Sequence, residues 1–253
     1  MRGSLAGRIL VALLVSCVAA AGFYWFFLRN PRPDVAQTGR IEADFSRLEN
    51  GDAPTNFDTG QAAIISNNPQ DPGSNFVVRE GKLTYSPTRE GIAAAAYGTP
   101  DMGSPVTGIG ARWVFEPRTD VRAGAVGLYV SQENLSTLPS VVPPIPVHFI
   151  ATPINWYLAV KKDDITPLEL IAAGEFSDPL KVDGTTAYEA NLKIEGSKVT
   201  INLPDGTERR VNDARVSQWK GNYASFTVWS NDGLKDSVGA FEKVWATSGP
   251  GGK

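Results

Sequence analysis

The chain has 253 residues, of which 42% are hydrophobic and 20% are charged, so it can bury the core of one large domain or two small ones. Four of its 24 lysines and arginines and none of its 27 acids precede Asp34, which leaves residues 34–253 with 20 basic and 27 acidic groups and a net charge of −7. Because nucleic-acid binding requires a basic surface, this balance argues against a nucleic-acid partner.

The N-terminal segment is uncharged from Ile9 to Leu28 and predicts a signal-anchor helix that crosses a membrane. As a helix, its 20 residues would span roughly 30 Å, the thickness of the hydrocarbon core of a bilayer. The segment ends in an aromatic cluster of the kind found at membrane interfaces, followed by two arginines. The cluster consists of Phe23, Tyr24, Trp25, Phe26 and Phe27.

The same segment also permits a second interpretation. Leu14-Val15-Ser16-Cys17 resembles a lipobox, in which cleavage before the cysteine leaves a lipid-anchored protein. Eleven further uncharged residues follow Cys17, which favours a spanning helix over a lipoprotein and over a cleaved secretory peptide.

The flanking charges and the composition predict the domain organisation. Arg2 and Arg8 slightly favour a cytoplasmic N-terminus at residues 1–8. A linker at residues 29–41, stiffened by Pro31 and Pro33, would then hold a domain at residues 42–247 close to the plasma membrane on its extracytoplasmic side. Residues 248–253 are predicted to form a flexible tail.

Cys17 and His148 are the only residues of their kinds. The predicted domain therefore has no cysteine for a disulfide, a zinc site or a nucleophile, and one histidine for any mechanism that needs an imidazole base. No Gly-x-Ser-x-Gly motif accompanies His148, so we expect a structural histidine near the start of a strand.

Short apolar runs bounded by Gly, Pro, Asn or Asp predict an all-β domain. The clearest is Tyr188 to Val211, a three-stranded meander with turns at Gly196-Ser197 and Pro204-Asp205-Gly206. With it the chain offers about ten strands, which favours a two-sheet sandwich of jelly-roll type. The alanine-rich segment Gly91 to Gly98 is interpreted as a strand. The other runs are Phe76–Tyr85, Gly108–Phe115, Ala125–Ser131, Asn155–Lys161, Leu168–Phe176, Tyr223–Ser230 and Val238–Ala246.

The order of these segments resembles that of concanavalin A-like sandwich modules, the group that includes laminin G-like domains, legume lectins and retaining β-glucanases. The matching segments are "EADFSRLENGDAPTNFDTG" at residues 42–60, the Y-x-A-x-L-x-I-x-G-x-x-V-x-I-x-L-x-D-G block from Tyr188, "GNYASFTVWS" at residues 221–230 and "AFEKVWA" at residues 240–246. The resemblance implies that the first and last strands pair and that Phe45 and Phe241 face one core.

The resemblance also allows hydrolase chemistry to be tested. Retaining glucanases of this group carry Glu-x-Asp-x-x-Glu on one strand, which brings two carboxylates to about 5 Å. The nearest match begins at Glu42 and Asp44 but has Arg47 in its last position. Glu189 and Glu195 share a strand face but lie at opposite ends of the strand. We therefore expect no catalytic residues and no enzyme activity.

Glycan and metal binding are the remaining site chemistries. The domain is rich in tryptophan, and Trp156 and Trp219 are candidate rings for stacking on a sugar, although most tryptophans of a sandwich lie in its core. No cofactor is expected. A calcium ion at the rim is a weak alternative, because Asn231, Asp232 and Asp236 supply oxygen ligands in one turn.

The segment from Asn134 to Pro153 is the most unusual, with five prolines and no charge. Because proline prevents regular strand pairing, we expect a stiff apolar loop that either packs beneath the sandwich or docks on a membrane or partner. The docking interpretation assigns contact roles to its apolar and proline residues as well as to the aromatic cluster at residues 23–27. These loop residues are Leu138, Val141, Val142, Pro143, Pro144 and Ile145.

Two functional hypotheses follow. In the first, the protein is a non-catalytic, membrane-anchored accessory protein of the cell envelope that docks on a membrane complex and contacts an envelope lipid or glycan. Its Ala-, Val-, Gly- and Asp-rich composition resembles that of high-GC actinobacteria. Its one-anchor plan resembles the accessory proteins of mycobacterial lipid transport, such as the lipid uptake coordinators of Mce importers. In the alternative, the domain binds, or less favourably cleaves, a cell-wall glycan.

Overall fold

The computed structural model describes residues 39–67, 75–86, 91–92, 94–118, 121–122, 124–135, 146–161, 167–219, 221–229 and 237–249. These residues form an all-β sandwich with eighteen strands, a 3-10 turn at Phe45–Arg47 and one short helix, α1 (Ala214–Trp219). The predicted anchor and the loop residues from Leu138 to Ile145 lie outside the described residues, so both interpretations stay predictions.

The larger sheet contains nine antiparallel strands. Its strands are β1 (Arg40–Asp44), β2 (Gly51–Asp52), β4 (Asn75–Arg79), β5 (Lys82–Ser86), β8 (Val106–Pro117), β14 (Tyr188–Glu195), β15 (Lys198–Asn202), β16 (Glu208–Asn212) and β18 (Ser237–Ser248). The order across the sheet is β16-β15-β14-β8-β18-β5-β4-β2, and β1 also pairs with β18.

The second sheet contains seven antiparallel strands. They are β3 (Ile64–Asn67), β7 (Ala94–Gly98), β10 (Ala125–Ser131), β11 (Pro146–Ala151), β12 (Asn155–Val160), β13 (Glu169–Glu175) and β17 (Tyr223–Trp229). The order across this sheet is β13-β12-β11-β10-β17-β7-β3. A short parallel pair, β6 (Gly91–Ile92) with β9 (Val121–Arg122), lies outside both sheets.

The core lies between the two sheets and is built from alternate residues of each strand. On β10, for example, Val126, Leu128 and Val130 are buried in the main cluster, because successive side chains of a strand point to opposite faces. The pairing of β1 with β18 joins the first and last strands, and Phe45 and Phe241 are both fully buried in this core. The structure thus confirms the predicted two-sheet, all-β sandwich and both packing expectations that followed from the resemblance.

The run from Phe76 to Tyr85, interpreted as one strand, is instead the hairpin β4–β5. Its turn is made by Glu80 and Gly81, which both have positive φ, at 51° and 72°. Asn50 stabilises this turn because its Oδ1 accepts a 2.7 Å hydrogen bond from the Glu80 amide. The sequence carries a mark of this turn, because residues 79–82 are not apolar and the alternation changes phase across them, although glutamate is an unusual residue for this conformation.

The expectation of a loop throughout Asn134 to Pro153 is wrong for its second part. Residues Pro146–Ala151 form β11, which pairs with β10 on one side and β12 on the other. Pro146 is the first residue of this strand, a position where the missing amide hydrogen is tolerated. Val147, Phe149 and Ala151 then continue the core, so the prolines flank a central strand and do not interrupt it.

Candidate functional site

Three aromatic rings line up across the outer face of the seven-stranded sheet, the face that points away from the core. They belong to Tyr129 on β10, His148 on β11 and Tyr157 on β12. The His148 ring lies 5.0 Å from the Tyr129 ring and 5.9 Å from the Tyr157 ring between centroids, and both contacts are edge-to-face. Tyr129 and His148 are each 2% exposed, whereas Tyr157 is half-buried, so the row ends at a ring that reaches the surface.

His148 is a neutral, structural histidine in this row. Within the described part of the chain, neither of its ring nitrogens has a hydrogen-bond partner. Burial, together with the nearby charge of Lys161, lowers the pKa of His148 to about 3. An imidazole with so low a pKa stays uncharged near neutral pH and cannot act as a general acid there, so the geometry gives it a packing role.

The burial of His148 predicts a pH-dependent stability. Its folded-state pKa is lowered, so the unfolded chain binds a proton that the folded chain excludes, and stability is lost as the pH falls below about 6.5. From pH 7 to pH 5 the wild type should lose about 2 kcal/mol more free energy of unfolding than His148→Gln. Denaturant titrations of both proteins at the two pH values measure this difference, and equal losses would contradict it.

A groove with a volume of about 350 Å³ opens at the end of the ring row, between β12 and the edge strand β13. We call it the edge groove. Its volume lies at the lower end of the range of small-molecule sites, about 300–1,000 Å³. The groove is lined by Asn155, Trp156, Tyr157, Leu170, Ala173, Gly174 and Glu175.

The edge groove combines an aromatic ring with polar groups. Tyr157 lies directly opposite Ala173, and Asn155 lies opposite Glu175, so these four side chains share the outer face. Ala173 is too small to cover the Tyr157 ring. Leu170, which is 57% exposed, adds an apolar wall. The result is a shallow apolar floor with an amide and a carboxylate at one end.

The turn before β12 fixes the position of Asn155. The Thr152 hydroxyl donates a 2.7 Å hydrogen bond to Asn155 Oδ1 and accepts one of 3.0 Å from the Asn155 amide nitrogen. Because the Asn155 Oδ1 accepts from Thr152, the group that this side chain can offer to a ligand in the groove is its NH2.

Arg215 of α1 holds the other wall of the edge groove. Its guanidinium forms a bidentate pair with Asp213, at 2.6 and 2.9 Å, and reaches Glu169 Oε2 at 3.1 Å. It also donates to the carbonyl oxygen of Leu170 at 3.3 Å. The two carboxylates raise the pKa of Arg215 above its usual value. Arg215 thereby ties the start of β13, and with it the Leu170 wall, to the helix.

Removing the contacts of the Arg215 guanidinium, which we call the clamp, should loosen the start of β13. In Arg215→Gln the bidentate geometry is lost, and we expect hydrogen exchange at the amides of residues 169–171 to become several times faster. Arg210→Gln, at an exposed arginine on the edge strand of the other sheet, is the matched control and should leave these amides unchanged. Equal exchange in Arg215→Gln and wild type would show that the clamp does not hold the strand.

The structure corrects the expected role of Trp156. Its ring is 5% exposed, stacks on Phe149 at 6.3 Å and 28°, and belongs to the core cluster. A Cβ at Gly174 would lie 3.0 Å from Trp156 Nε1, so a glycine lets the indole pack this closely beneath the edge strand. Its neighbour Tyr157 takes the surface position, because adjacent residues of a strand face opposite sides. Trp219 is the last residue of α1, and its side chain lies outside the described part of the structure.

Several other predicted sites also lie outside the described residues. These are the anchor at Ile9–Leu28 with Cys17 and Phe23 to Phe27, the docking residues Leu138 to Ile145, and the rim-calcium ligands Asn231, Asp232 and Asp236. Within the described ranges, no helix has the length and apolar character needed to cross a membrane. The same ranges contain no group of three or more His, Cys, Asp or Glu side chains placed to hold a metal ion.

The carboxylates considered for hydrolysis are engaged in ion pairs and hydrogen bonds. Glu42 is 2.6 Å from Lys243 Nζ, which holds its pKa below the usual value. The hydroxyl of Ser46 does the same for Asp44. A glycosidase needs a carboxyl whose pKa is raised, so that it can donate a proton at neutral pH. Glu42 and Asp44, the two carboxylates of β1, instead have lowered pKa values.

Several solved structures have a fold similar to that of this chain. The chain is similar to the Emp47p carbohydrate recognition domain, with a TM-score of 0.53 and 9% identity over 83% of this chain and 95% of that one. It is also similar to the Ca²⁺- and Man3GlcNAc-bound lumenal domain of VIP36, with a TM-score of 0.51 and 6% identity over 76% and 86% of the chains. A Bacillus subtilis protein of unknown function with a galectin-like fold has a TM-score of 0.50 and 13% identity over 74% and 89%. No family model and no curated protein matches the sequence.

At these identities the likeness shows the fold, a concanavalin A-like sandwich shared with lectin domains. The comparisons contradict the interpretation of the chain as an accessory protein of lipid transport, because the solved structures that share its fold include a carbohydrate recognition domain and a lumenal domain with a bound glycan. The misleading signal was the plan of one apolar segment followed by an acidic domain, which many unrelated proteins share. The glycan-binding alternative is the better supported of the two hypotheses.

Proposed function

We propose that the domain is a carbohydrate-binding module and that the edge groove holds a sugar residue of its ligand. The observation that carries the proposal is the half-buried Tyr157 ring beside Asn155 and Glu175. Sugar recognition requires an apolar surface for the C–H face of the ring and polar groups for its hydroxyls. The edge groove supplies both within one volume of about 350 Å³.

The charge of the edge groove indicates the class of sugar. Glu175 is the one ionisable group among the seven lining residues apart from the Tyr157 phenol. A carboxylate accepts hydrogen bonds from two neighbouring hydroxyls and repels an anionic ligand. The groove therefore favours a neutral or amine-bearing sugar over a uronic acid.

The module binds its glycan without cleaving it in this proposal. Five described carboxyl groups have shifted pKa values, and every shift is downward, which keeps these groups ionised. None of the five is poised as a general acid. They are Glu42, Asp44, Asp183, Glu195 and Asp213.

We further propose that residues 9–28 anchor the module to a cell membrane with the sandwich on the extracytoplasmic side. The support is the uncharged segment, its terminal aromatic cluster and the flanking arginines. Mass spectrometry of the protein from its native membrane tests the anchor. Retention of residues 1–16 is expected, whereas a chain that begins at a lipid-modified Cys17 would contradict it.

Isothermal titration of the full chain in detergent tests the binding function. The probes are mannotriose, cellotriose and chitotriose, with trigalacturonate as the anionic counterpart of a neutral sugar. We expect at least one neutral or amino-sugar probe to bind, and Tyr157→Ala to weaken that binding by about 10- to 100-fold while Tyr223→Ala, at another half-exposed tyrosine, binds like the wild type. Undiminished affinity in Tyr157→Ala would refute the assignment of the groove.

A further inference from the structure

A second groove, on the larger sheet, has a different chemistry. It has a volume of about 520 Å³ and lies along the meander β14–β15–β16. We call it the meander groove. The polar residues that line it are Lys193, Glu195, Lys198, Thr200, Arg210 and Asn212.

The register of the meander places its cations around one hydroxyl. Lys193 is the cross-strand partner of Thr200, which is in turn the partner of Arg210. At a strand spacing of about 4.8 Å, the two cations flank the Thr200 hydroxyl with their Cα atoms roughly 10 Å apart. Long lysine and arginine side chains can converge over that distance on a single group above Thr200. Lys198 stands in the next row, beside Glu195 and Asn212.

The polar groups of the meander groove are mainly hydrogen-bond donors. The Ser197 hydroxyl donates to Asn212 Oδ1 at 2.7 Å, which leaves the NH2 group as the part of this side chain that can donate to a ligand. The lining carries three cations and one carboxylate, within a region whose 20 basic and 27 acidic groups make it acidic overall. The lining is therefore basic although the domain as a whole is acidic, and this favours an anionic ligand.

Lys193 and Arg210 already form ion pairs, but the carboxylates in these pairs compete only weakly with such a ligand. Lys193 pairs with Glu195 at 2.7 Å and Arg210 pairs with Glu208 at 2.8 Å, each two residues away on the same strand. All four side chains are exposed, and exposed pairs of this kind contribute little. An oxyanion that met both cations and the Thr200 hydroxyl at once could therefore displace either carboxylate.

We propose that the meander groove binds an oxyanion, a carboxylate or phosphate, over Thr200 between Lys193 and Arg210. The proposal is independent of the edge groove, because the two grooves lie on different sheets and have opposite charge preferences. The oxyanion can be a free phosphate ion or the acidic group of an anionic glycan. The recognition chemistry is the same for both sources.

Titration of the full chain in detergent with inorganic phosphate and with trigalacturonate tests this proposal. In the double variant Lys193→Gln/Arg210→Gln, affinity should fall by at least about tenfold, since charge-assisted hydrogen bonds are lost. Arg209→Gln is the matched control, because Arg209 is exposed on the same strand but points to its other face. Glu195→Gln should raise affinity severalfold, because it removes the competing carboxylate.

The two probes distinguish the sources of the oxyanion. Binding of phosphate alone assigns the groove to a small free ion, and binding of trigalacturonate assigns it to a sugar-borne acid. Either result supports the site if the double variant weakens the binding. The proposal is overturned if neither probe binds, or if the double variant and Arg209→Gln bind equally well. Loss of neutral-sugar binding in Tyr157→Ala would leave this outcome unaffected.

Discussion

Replacing Tyr157 by alanine is expected to reduce the affinity for the neutral glycan by about 10- to 100-fold. The ring supplies the apolar surface of the edge groove, and burial of an aromatic side chain contributes about 1.5–3 kcal/mol, which corresponds to this range. Ala173 and Gly174, the neighbouring lining residues on β13, carry no ring. Isothermal titration with the best-binding neutral trisaccharide measures the effect.

The control for this prediction is Tyr157→Phe. It keeps the ring, so affinity should change only by the contribution of one hydroxyl, about 0.5–1.5 kcal/mol. If phenylalanine were as damaging as alanine, the phenolic hydroxyl and not the ring face would be the binding element. If both variants bound like the wild type, the sugar would lie elsewhere on the sandwich.

Replacing Trp156, the neighbour of Tyr157 in the sequence, by alanine is expected to cause a large loss of stability. The indole is buried, stacks on Phe149 and packs beneath Gly174. Removing such a side chain leaves a cavity that costs about 3–5 kcal/mol of unfolding free energy. For a domain of this size the melting temperature should fall by roughly 10 °C, a change that thermal unfolding followed by near-UV circular dichroism would resolve.

Two variants make the comparison with Trp156→Ala specific. Trp156→Phe fills part of the cavity and should recover much of the loss, as expected for a packing residue. Tyr157→Ala should cost only about 1 kcal/mol, the typical value for a point substitution. A Trp156→Ala protein as stable as Tyr157→Ala would contradict the placement of the indole in the core.

The alternation of apolar and polar residues along β12 predicts which of its side chains face the core. The surface ring was nevertheless predicted to be Trp156, whereas it is Tyr157. Trp156 alternates with Leu158 and Val160, which are buried, whereas Tyr157 alternates with the polar Asn155. The period of two therefore places the tryptophan inside and the tyrosine outside. The high tryptophan content suggested Trp156 as the sugar-stacking ring, but the alternation of its neighbours along β12 is the more informative signal.

The other wall of the edge groove could not be predicted in the same way. Leu170 and Glu175 meet Tyr157 and Asn155 only because of the β12–β13 register, which shifts at an irregularity between Leu158 and Ala159. The alternation of apolar and polar residues in either strand does not show where such a register shift occurs. Arg215 lies 46 residues beyond Glu169, and its contact depends on how α1 packs at the end of the sandwich.

The fold itself was predictable where turns and alternation are local. The meander β14–β15–β16 follows from its Gly196-Ser197 and Pro204-Asp205-Gly206 turns, and its strands agree with the expected ones. By contrast, the pairing of β1 with β18 joins segments about 200 residues apart and was reached only through the resemblance to concanavalin A-like modules. Long-range pairing leaves little local trace, because it depends on the packing of the whole sandwich.

The most direct test of the glycan-binding site is hydrogen exchange of the full chain, measured by mass spectrometry with and without the neutral trisaccharide that binds best. If the edge groove holds the sugar, slower exchange should be confined to peptides that cover residues 155–157 and 173–175. The meander at residues 188–212 should be unchanged by this neutral probe. Protection that appeared in the meander, or elsewhere but not beside Tyr157, would contradict the account.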